Sequence, residues 1–262
     1  MIISLLTDFG TADYFVGAMK GVILKINPKV TVVDLTHEIP PQDVSAGAFT
    51  LAQAAASFPA GTVHVAVVDP GVGSARRGIL ASAGGQFFVG PDNGLFSFIY
   101  EREPLARVFH LTNEKYFGPK VSATFHGRDV FAPVAAALST GVAPEEFGEE
   151  VTDFVRLPNL KPQRAADGTI EAAIIHVDRF GNCVTNLTAE VMPARPRIII
   201  NGREITSLRR FFAEESGDSQ ELFAIWGSAG YLEIAANRAS AARLLDAKRG
   251  QVVQVQSLGP SS

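Results

Sequence analysis

The chain has 262 residues, of which 47% are apolar and 19% charged, with a formal net charge of −4. That balance excludes low-complexity disorder, and the length allows one or two domains, each with its own core. A net negative chain without a Lys/Arg cluster excludes a general nucleic-acid binder, and no apolar run approaches the roughly 18 residues of a membrane-spanning helix.

The opening MIISLLTDFG lacks a basic stretch and meets Asp8 at once, which argues against a signal peptide. One cysteine, Cys183, excludes an internal disulfide framework and a cysteine-based zinc site. The expectation is a soluble, cytoplasmic protein. Ile2–Leu6 reads as a buried strand. Phe15, Ala18, Met19, Val22, Ile23 and Ile26 then form one face of a helix that stops before Pro28. Val30–Leu35 is a second strand, and Asp43 caps a second helix marked by Val44, Ala48, Leu51, Ala55 and Phe58. Val63–Val68 is a third strand, followed by short strands at Gly78–Ala83, Phe87–Val89 and Val108–Leu111 and a helix over Asp129–Ser139. Strands alternating with helices predict an α/β fold with a mostly parallel sheet over residues 1–160. The segment 157–168, LPNLKPQRAADG, reads as a linker. Beyond it, residues 168–262 read as a smaller β-rich domain, with strands at Ile170–Val177, Val184–Leu187, Arg197–Ile200, Leu222–Trp226 and Val252–Val255 and a helix near Ala239–Ala247.

Ligands of open α/β sheets bind at the carboxyl ends of strands. Polar clusters stand in such places at Thr7–Gly10, Asp69–Gly73, Phe125–Asp129 and Asp178–Asn182, with a fifth at Trp226–Tyr231. Taken singly, each has a bland reading. Asp8 and Asp69 are equally turn formers or caps, Ser228 between small residues is a turn, and Arg76-Arg77 is a solvated pair. His64 and His176 alternate with apolar residues inside strands, and nothing in the sequence pairs with His37 or His110. No Walker loop, HExxH or GxSxG is present, and Gly71-Val72-Gly73 lacks the third glycine of a dinucleotide fingerprint. Asp8, Asp69, His126 and Asp129 have no metal-ligand spacing, so no metal is expected.

In this order the clusters LLTDFG (5–10), VVDPGVGSARR (67–77), GPDNGLFS (90–97), TFHGRDVFAP (124–133), VDRFGNCVTN (177–186) and WGSAGYLEIAANRASAA (226–242) resemble the S-adenosyl-L-methionine (SAM) hydroxide adenosyltransferases, relatives of the fluorinase and chlorinase. The resemblance covers nearly the whole chain. It implies an N-terminal α/β domain, a C-terminal β-barrel-like domain, and a homotrimer with its active site at a subunit interface. It implies hydrolysis of SAM to adenosine and L-methionine with no cofactor, water or hydroxide attacking ribose C5′. The family's water-activating set falls on Asp69, Arg76 and His126, with Arg77 as an adjacent rival for Arg76. Substrate contacts fall on Asp8 for the ribose hydroxyls, Asp178 near the methionine ammonium, and Phe180 and Phe212 around adenine. Asn182 falls on an adenine edge, Ser228 on the methionine carboxylate, and Glu233 and Ala236 where the family closes over adenine. Two features depart from the halogenase pattern: Ala229 stands where a carboxylate-binding arginine is expected, and the Arg179–Phe180 stretch is one residue shorter. The alternatives are a SAM-dependent halogenase and a non-catalytic SAM or adenosine binder. Halogenases carry uncharged residues where Asp69 stands. A carboxylate 4 Å from a halide repels it by about 1 kcal/mol in water and about 4 at an effective dielectric of 20.

Overall fold

The computed structural model describes residues 1–158, 161–212 and 220–257. The chain divides into two compact units, Met1–Leu157 and Pro158–Ser262.

The first unit contains strands β1 Ile2–Thr7, β2 Thr31–Thr36, β3 Val63–Val67, β4 Gly78–Ala83, β5 Gln86–Pro91, β6 Arg107–His110 and β7 Glu150–Val151. Its helices are α1 Phe15–Ile26, α2 Val44–Ala55, α3 Ser97–Arg102 and α4 Ala132–Ser139. The sheet order is β2-β1-β3-β5-β4-β6-β7. Pairing is parallel from β2 to β5 and antiparallel from β5 to β7. The expected mostly parallel sheet is therefore a mixed one. The cause is local: β4 and β5 are joined by Gly84-Gly85 alone, both at positive φ, a two-residue turn that forces an antiparallel hairpin.

Helices cover both faces of this sheet, which explains why β3 is buried along its whole length. Val16, Met19 and Ile23 of α1 and Val134, Ala135 and Leu138 of α4 pack with Ile3, Leu5, Val63, Val65 and Val67 in one core. On the other face α2 lies against β1 and β3 and carries α3. The Asp43 carboxylate caps α2 by accepting from Ala46 N at 2.8 Å. The expected helix over 129–139 is two pieces: a π-helical segment Gly127–Phe131 runs into α4. Pro133 has no N–H to donate to the Asp129 carbonyl, and that oxygen accepts Gly118 N instead, at 2.7 Å.

The second unit contains β8 Gln163–Arg164, β9 Ile170–Val177, β10 Cys183–Thr188, β11 Pro196–Ile200, β12 Arg203–Ile205, β13 Leu208–Arg209, β14 Leu222–Trp226, β15 Tyr231–Ala236 and β16 Val252–Ser257, with one helical turn α5 Ala241–Leu244. They form one curled sheet of order β12-β11-β16-β9-β10-β15-β14-β13, with β8 on β9. All pairings are antiparallel except β13–β14. Its core alternates as a half-buried sheet requires: Ala224, Leu232 and Ile234 face inward, while Phe223, Ile225 and Ala235 form a small outer cluster. The stretch read as a linker is partly strand, since Gln163 and Arg164 pair with β9; residues 159–160 lie outside the described residues.

Candidate active site

Two polar arrangements stand out, one in each unit. In the first unit Asp69 follows β3, and the turn after it is tightly built. Val72 N donates to Asp69 O, Ser74 Oγ to Gly71 O, and Arg76 N to Ser74 Oγ. Gly73, at φ +77°, lies so close to the Ala123 carbonyl that any Cβ would overlap its oxygen. This contact holds the 69–77 turn against the segment that leads to His126.

The turn aims Arg76 back at Asp69. Arg76 Nε donates to Asp69 Oδ1 at 2.9 Å, and Arg76 Nη2 donates both to Asp69 Oδ2 and to His126 Nδ1, the latter at 2.8 Å. The Asp69 side chain is 4% exposed and that of Arg76 11%, so water screens this pair little. The guanidinium also lies 5.3 Å from the Phe131 ring centroid. Because Arg76 donates to Nδ1, His126 is a neutral imidazole with its proton on Nε2. Burial holds the His126 pKa below its ordinary value, and the Arg76 charge adds to this; Asp69 and Asp129 oppose it. Arg77 points elsewhere, to Asp92 and Asp153.

Asp8, also in this unit, sits in the turn after β1. Its Oδ2 accepts Gln42 N at 2.8 Å. Asp129 is engaged by other groups: its carboxylate accepts Ser122 N and pairs with Arg128. Among the described residues no group of three or more His, Cys, Asp or Glu side chains is arranged to hold a metal ion. No helix among them is long and apolar enough to cross a membrane.

In the second unit, Asp178, Phe180, Asn182, Phe212, Ser228, Glu233 and Ala236 all line one cavity of about 960 Å³. Every substrate residue expected in this half of the chain is on its wall. Asp178 organises one side: it accepts Phe180 N and Asn182 N at Oδ1 and Asn182 Nδ2 at Oδ2. Asn182 is thereby held with its carbonyl oxygen and one N–H left over. Phe180 is 78% exposed and Phe212 51% exposed, an unusual state for two large rings on one pocket. Ser228 lies in the β14–β15 hairpin turn, closed by Gly227 N to Tyr231 O. Burial, and secondarily the Asp178 charge, raises the Glu233 pKa. Cys183 is buried beside this wall, its thiol pushed up to about 11 by burial and by Asp178, which leaves it unreactive.

Sequence reasoning missed Arg210, which also lines the cavity, and gave no role to Trp226 and Arg238, which line it from within the 226–242 motif. Arg238 stands just beyond β15, a strand the sequence reading had not separated from its motif. Also missed was His37, expected without a partner: its Nδ1 lies 2.9 Å from Thr7 Oγ1 and its Nε2 3.1 Å from Asp34.

Comparison with known proteins agrees with this division. Residues 3–148 match the SAM hydroxide adenosyltransferase N-terminal domain and residues 172–254 the C-terminal domain. The chain is 42% identical to the (R)-S-adenosyl-L-methionine hydrolase of Salinispora arenicola, over 97% of each chain. It is 41% identical to that of Thermus thermophilus, over 95% of this chain and 97% of the relative. A fluorinase of an Actinoplanes species is more distant, at 28% identity over 97% of each chain. A crystal structure of an uncharacterized conserved protein from Thermotoga maritima superposes with a TM-score of 0.88 at 34% identity, covering 98% of this chain and all of that one. The chain belongs to the SAM hydroxide adenosyltransferase family.

Proposed function

We propose that the protein hydrolyses SAM to adenosine and L-methionine. The observation that carries this reading is the Arg76 fork, which joins Asp69 and His126 in a chain about 40% identical to named SAM hydrolases. A water oxygen bonds to ribose C5′ as the C5′–S bond breaks. The electron pair goes to sulfur, which leaves as a neutral thioether, and the water gives up its proton. The sulfonium is already an activated leaving group, so the reaction needs no cofactor. The enzyme must align nucleophile, carbon and sulfur, which contributes up to about 7–11 kcal/mol in favourable cases, and favour the deprotonated form of water. The Arg76 cation does the second. Asp69 fixes the guanidinium and accepts from the water, and neutral His126 holds the water or passes on its proton.

In this reading Asp8 accepts the ribose 2′- and 3′-hydroxyls. Phe180 and Phe212 stack on adenine, and Asn182 reads its edge with the groups Asp178 leaves over. Glu233 and the backbone at Ala236 close over the base. Asp178 also lies near the methionine ammonium, and Ser228 contacts the carboxylate. Ala229 supplies no cation for that carboxylate, and the support comes instead from Arg210 and Arg238 on the same wall. A homotrimer with its active site at a subunit interface is part of the proposal; the exposed Phe180, Phe211 and Phe212 rings support it. The halogenase alternative is weaker because Asp69 would repel a halide at the nucleophile site.

The test is a product assay. SAM of both sulfonium epimers is incubated with the protein, a chelator, and millimolar chloride or fluoride. Adenosine and methionine in equal amounts, unaffected by chelator or halide, are expected, with the (R) epimer preferred as the relatives' names specify. A dominant 5′-halo-adenosine product, loss of activity with chelator, or binding without turnover each refutes the reading.

A further inference from the structure

His37 is a buried polar side chain, 5% exposed, that the proposed chemistry does not touch. Burying such a group is costly unless its hydrogen bonds are satisfied. Its setting is a chain of contacts. Lys20 Nζ donates to Asp34 Oδ2 at 2.6 Å, and Asp34 Oδ1 lies 3.1 Å from His37 Nε2, though off the ideal hydrogen-bond direction. His37 Nδ1 lies 2.9 Å from Thr7 Oγ1, and Thr7 Oγ1 accepts Phe9 N at 3.2 Å. One arrangement that satisfies these contacts has the Thr7 hydroxyl donating to Nδ1 while Nε2 faces the Asp34 carboxylate.

Two backbone contacts reinforce the link. Gly10 N donates to His37 O at 2.8 Å, and Ile39 N to Thr7 O at 3.4 Å. The β1–β2 register shifts between Leu5 and Leu6, so β2 carries an extra residue just before its end. Such bulges re-aim the side chains that follow, and here His37 turns back onto Thr7. The turn clamped from both sides is Thr7-Asp8-Phe9-Gly10. Asp8 is one of its two central residues, and one of its carboxylate oxygens is already taken by Gln42 N.

We propose that His37 is a positioning residue: through Thr7 it fixes the orientation of Asp8, so that the carboxylate meets the ribose diol of the substrate. This rests on the reading of Asp8 as the ribose contact given above. A group that only stabilised the fold would weaken all ligands alike. A group that sets Asp8 weakens only ligands carrying the diol.

The test measures binding of adenosine and of 2′,3′-dideoxyadenosine to the full-length protein by calorimetry. Wild type is compared with Asp8→Ala, His37→Ala, His37→Asn and Thr7→Val. Wild type prefers adenosine, and Asp8→Ala, which removes the acceptor, abolishes that preference. His37→Ala weakens adenosine about tenfold, the worth of a hydrogen bond to a charged group, and leaves the dideoxy analogue unchanged. His37→Asn, whose amide oxygen accepts from Thr7, recovers most of the loss. If His37→Ala does not fold, Thr7→Val reports the same coupling. Preference lost in Asp8→Ala but kept in both His37→Ala and Thr7→Val overturns the positioning role alone. Equal weakening of both ligands in the His37 and Thr7 variants also overturns it. Preference kept in Asp8→Ala overturns the ribose reading beneath it.

Discussion

Replacing Arg76 with lysine keeps the charge and removes the fork. Arg76 donates three hydrogen bonds, two to Asp69 and one to His126. A lysine ammonium is a point donor on a flexible stem, and its geometry replaces one of the three. Two charge-assisted bonds are lost, each taken at the lower end of its range, about 1.5 kcal/mol. The pair is nearly buried, so little is deducted for solvent screening. About 3 kcal/mol of transition-state alignment corresponds to roughly a 150-fold fall in kcat. The substrate wall in the second unit is untouched, so KM moves little. The assay is the initial rate of adenosine formation across SAM concentrations, with adenosine binding as a control for folding. Arg77→Lys serves as the comparison, because Arg77 is tied to Asp92 and Asp153. A kcat for Arg76→Lys within threefold of wild type, or a larger loss in Arg77→Lys, refutes the reasoning.

Three further outcomes follow from the same geometry. In the proposed chemistry His126 works as the neutral imidazole, and its pKa lies below the ordinary 6.5 because of burial and Arg76. Protonation destroys the Nδ1 acceptor, so the logarithm of kcat/KM rises with pH through a midpoint below 6.5 and is flat from there to neutrality; a midpoint at or above 6.5 contradicts this. Gly73→Ala places a Cβ on the Ala123 carbonyl at a positive φ. It costs at least about 2 kcal/mol, which calorimetry reads as a Tm lower by roughly 4–8 °C; an unchanged Tm contradicts it. Cys183 in the native protein resists iodoacetamide at pH 7.5, as a buried thiol pushed up to about 11 must. Stoichiometric alkylation with loss of activity would show that the thiol takes part.

Much of the architecture was legible because its signals are local. Gly78–Ala83, Ile170–Val177 and Leu222–Trp226 are strands over the residues the pattern predicts, and the α1 stripe ends before Pro28 as read. Pairing partners were less legible. The Gly84-Gly85 hairpin signal was present in the sequence, but reading the half as alternating strands and helices hid the antiparallel turn it dictates. Strand β15 was obscured because YLEIAA carries Glu233 among apolar residues and lies inside a motif read for its chemistry. The π-helical segment before α4 depends on Pro133 freeing the Asp129 carbonyl for Gly118, a contact across eleven residues that no periodicity announces.

The site divides in the same way. Most of the residue types came from motifs whose spacing is short, and six of those residues meet, with Phe212, on one wall in the second unit. The motif spacing from Asp69 favours Arg76 over Arg77, and the 69–77 turn directs Arg76 to Asp69 while Arg77 goes to Asp92 and Asp153. His37 was passed over because its partners, Thr7 and Asp34, become neighbours only once β1 and β2 pair with a bulge. A histidine's role depends on what faces it across a sheet, and register supplies that information.

The central claim is that water attacks C5′ in a site organised by Asp69, Arg76 and His126. It is tested most directly by running the reaction in oxygen-18 water and reading the products by mass spectrometry. One labelled oxygen in adenosine, at the 5′-hydroxyl, with unlabelled methionine is the predicted result. Unlabelled adenosine, or adenine in its place, would contradict it.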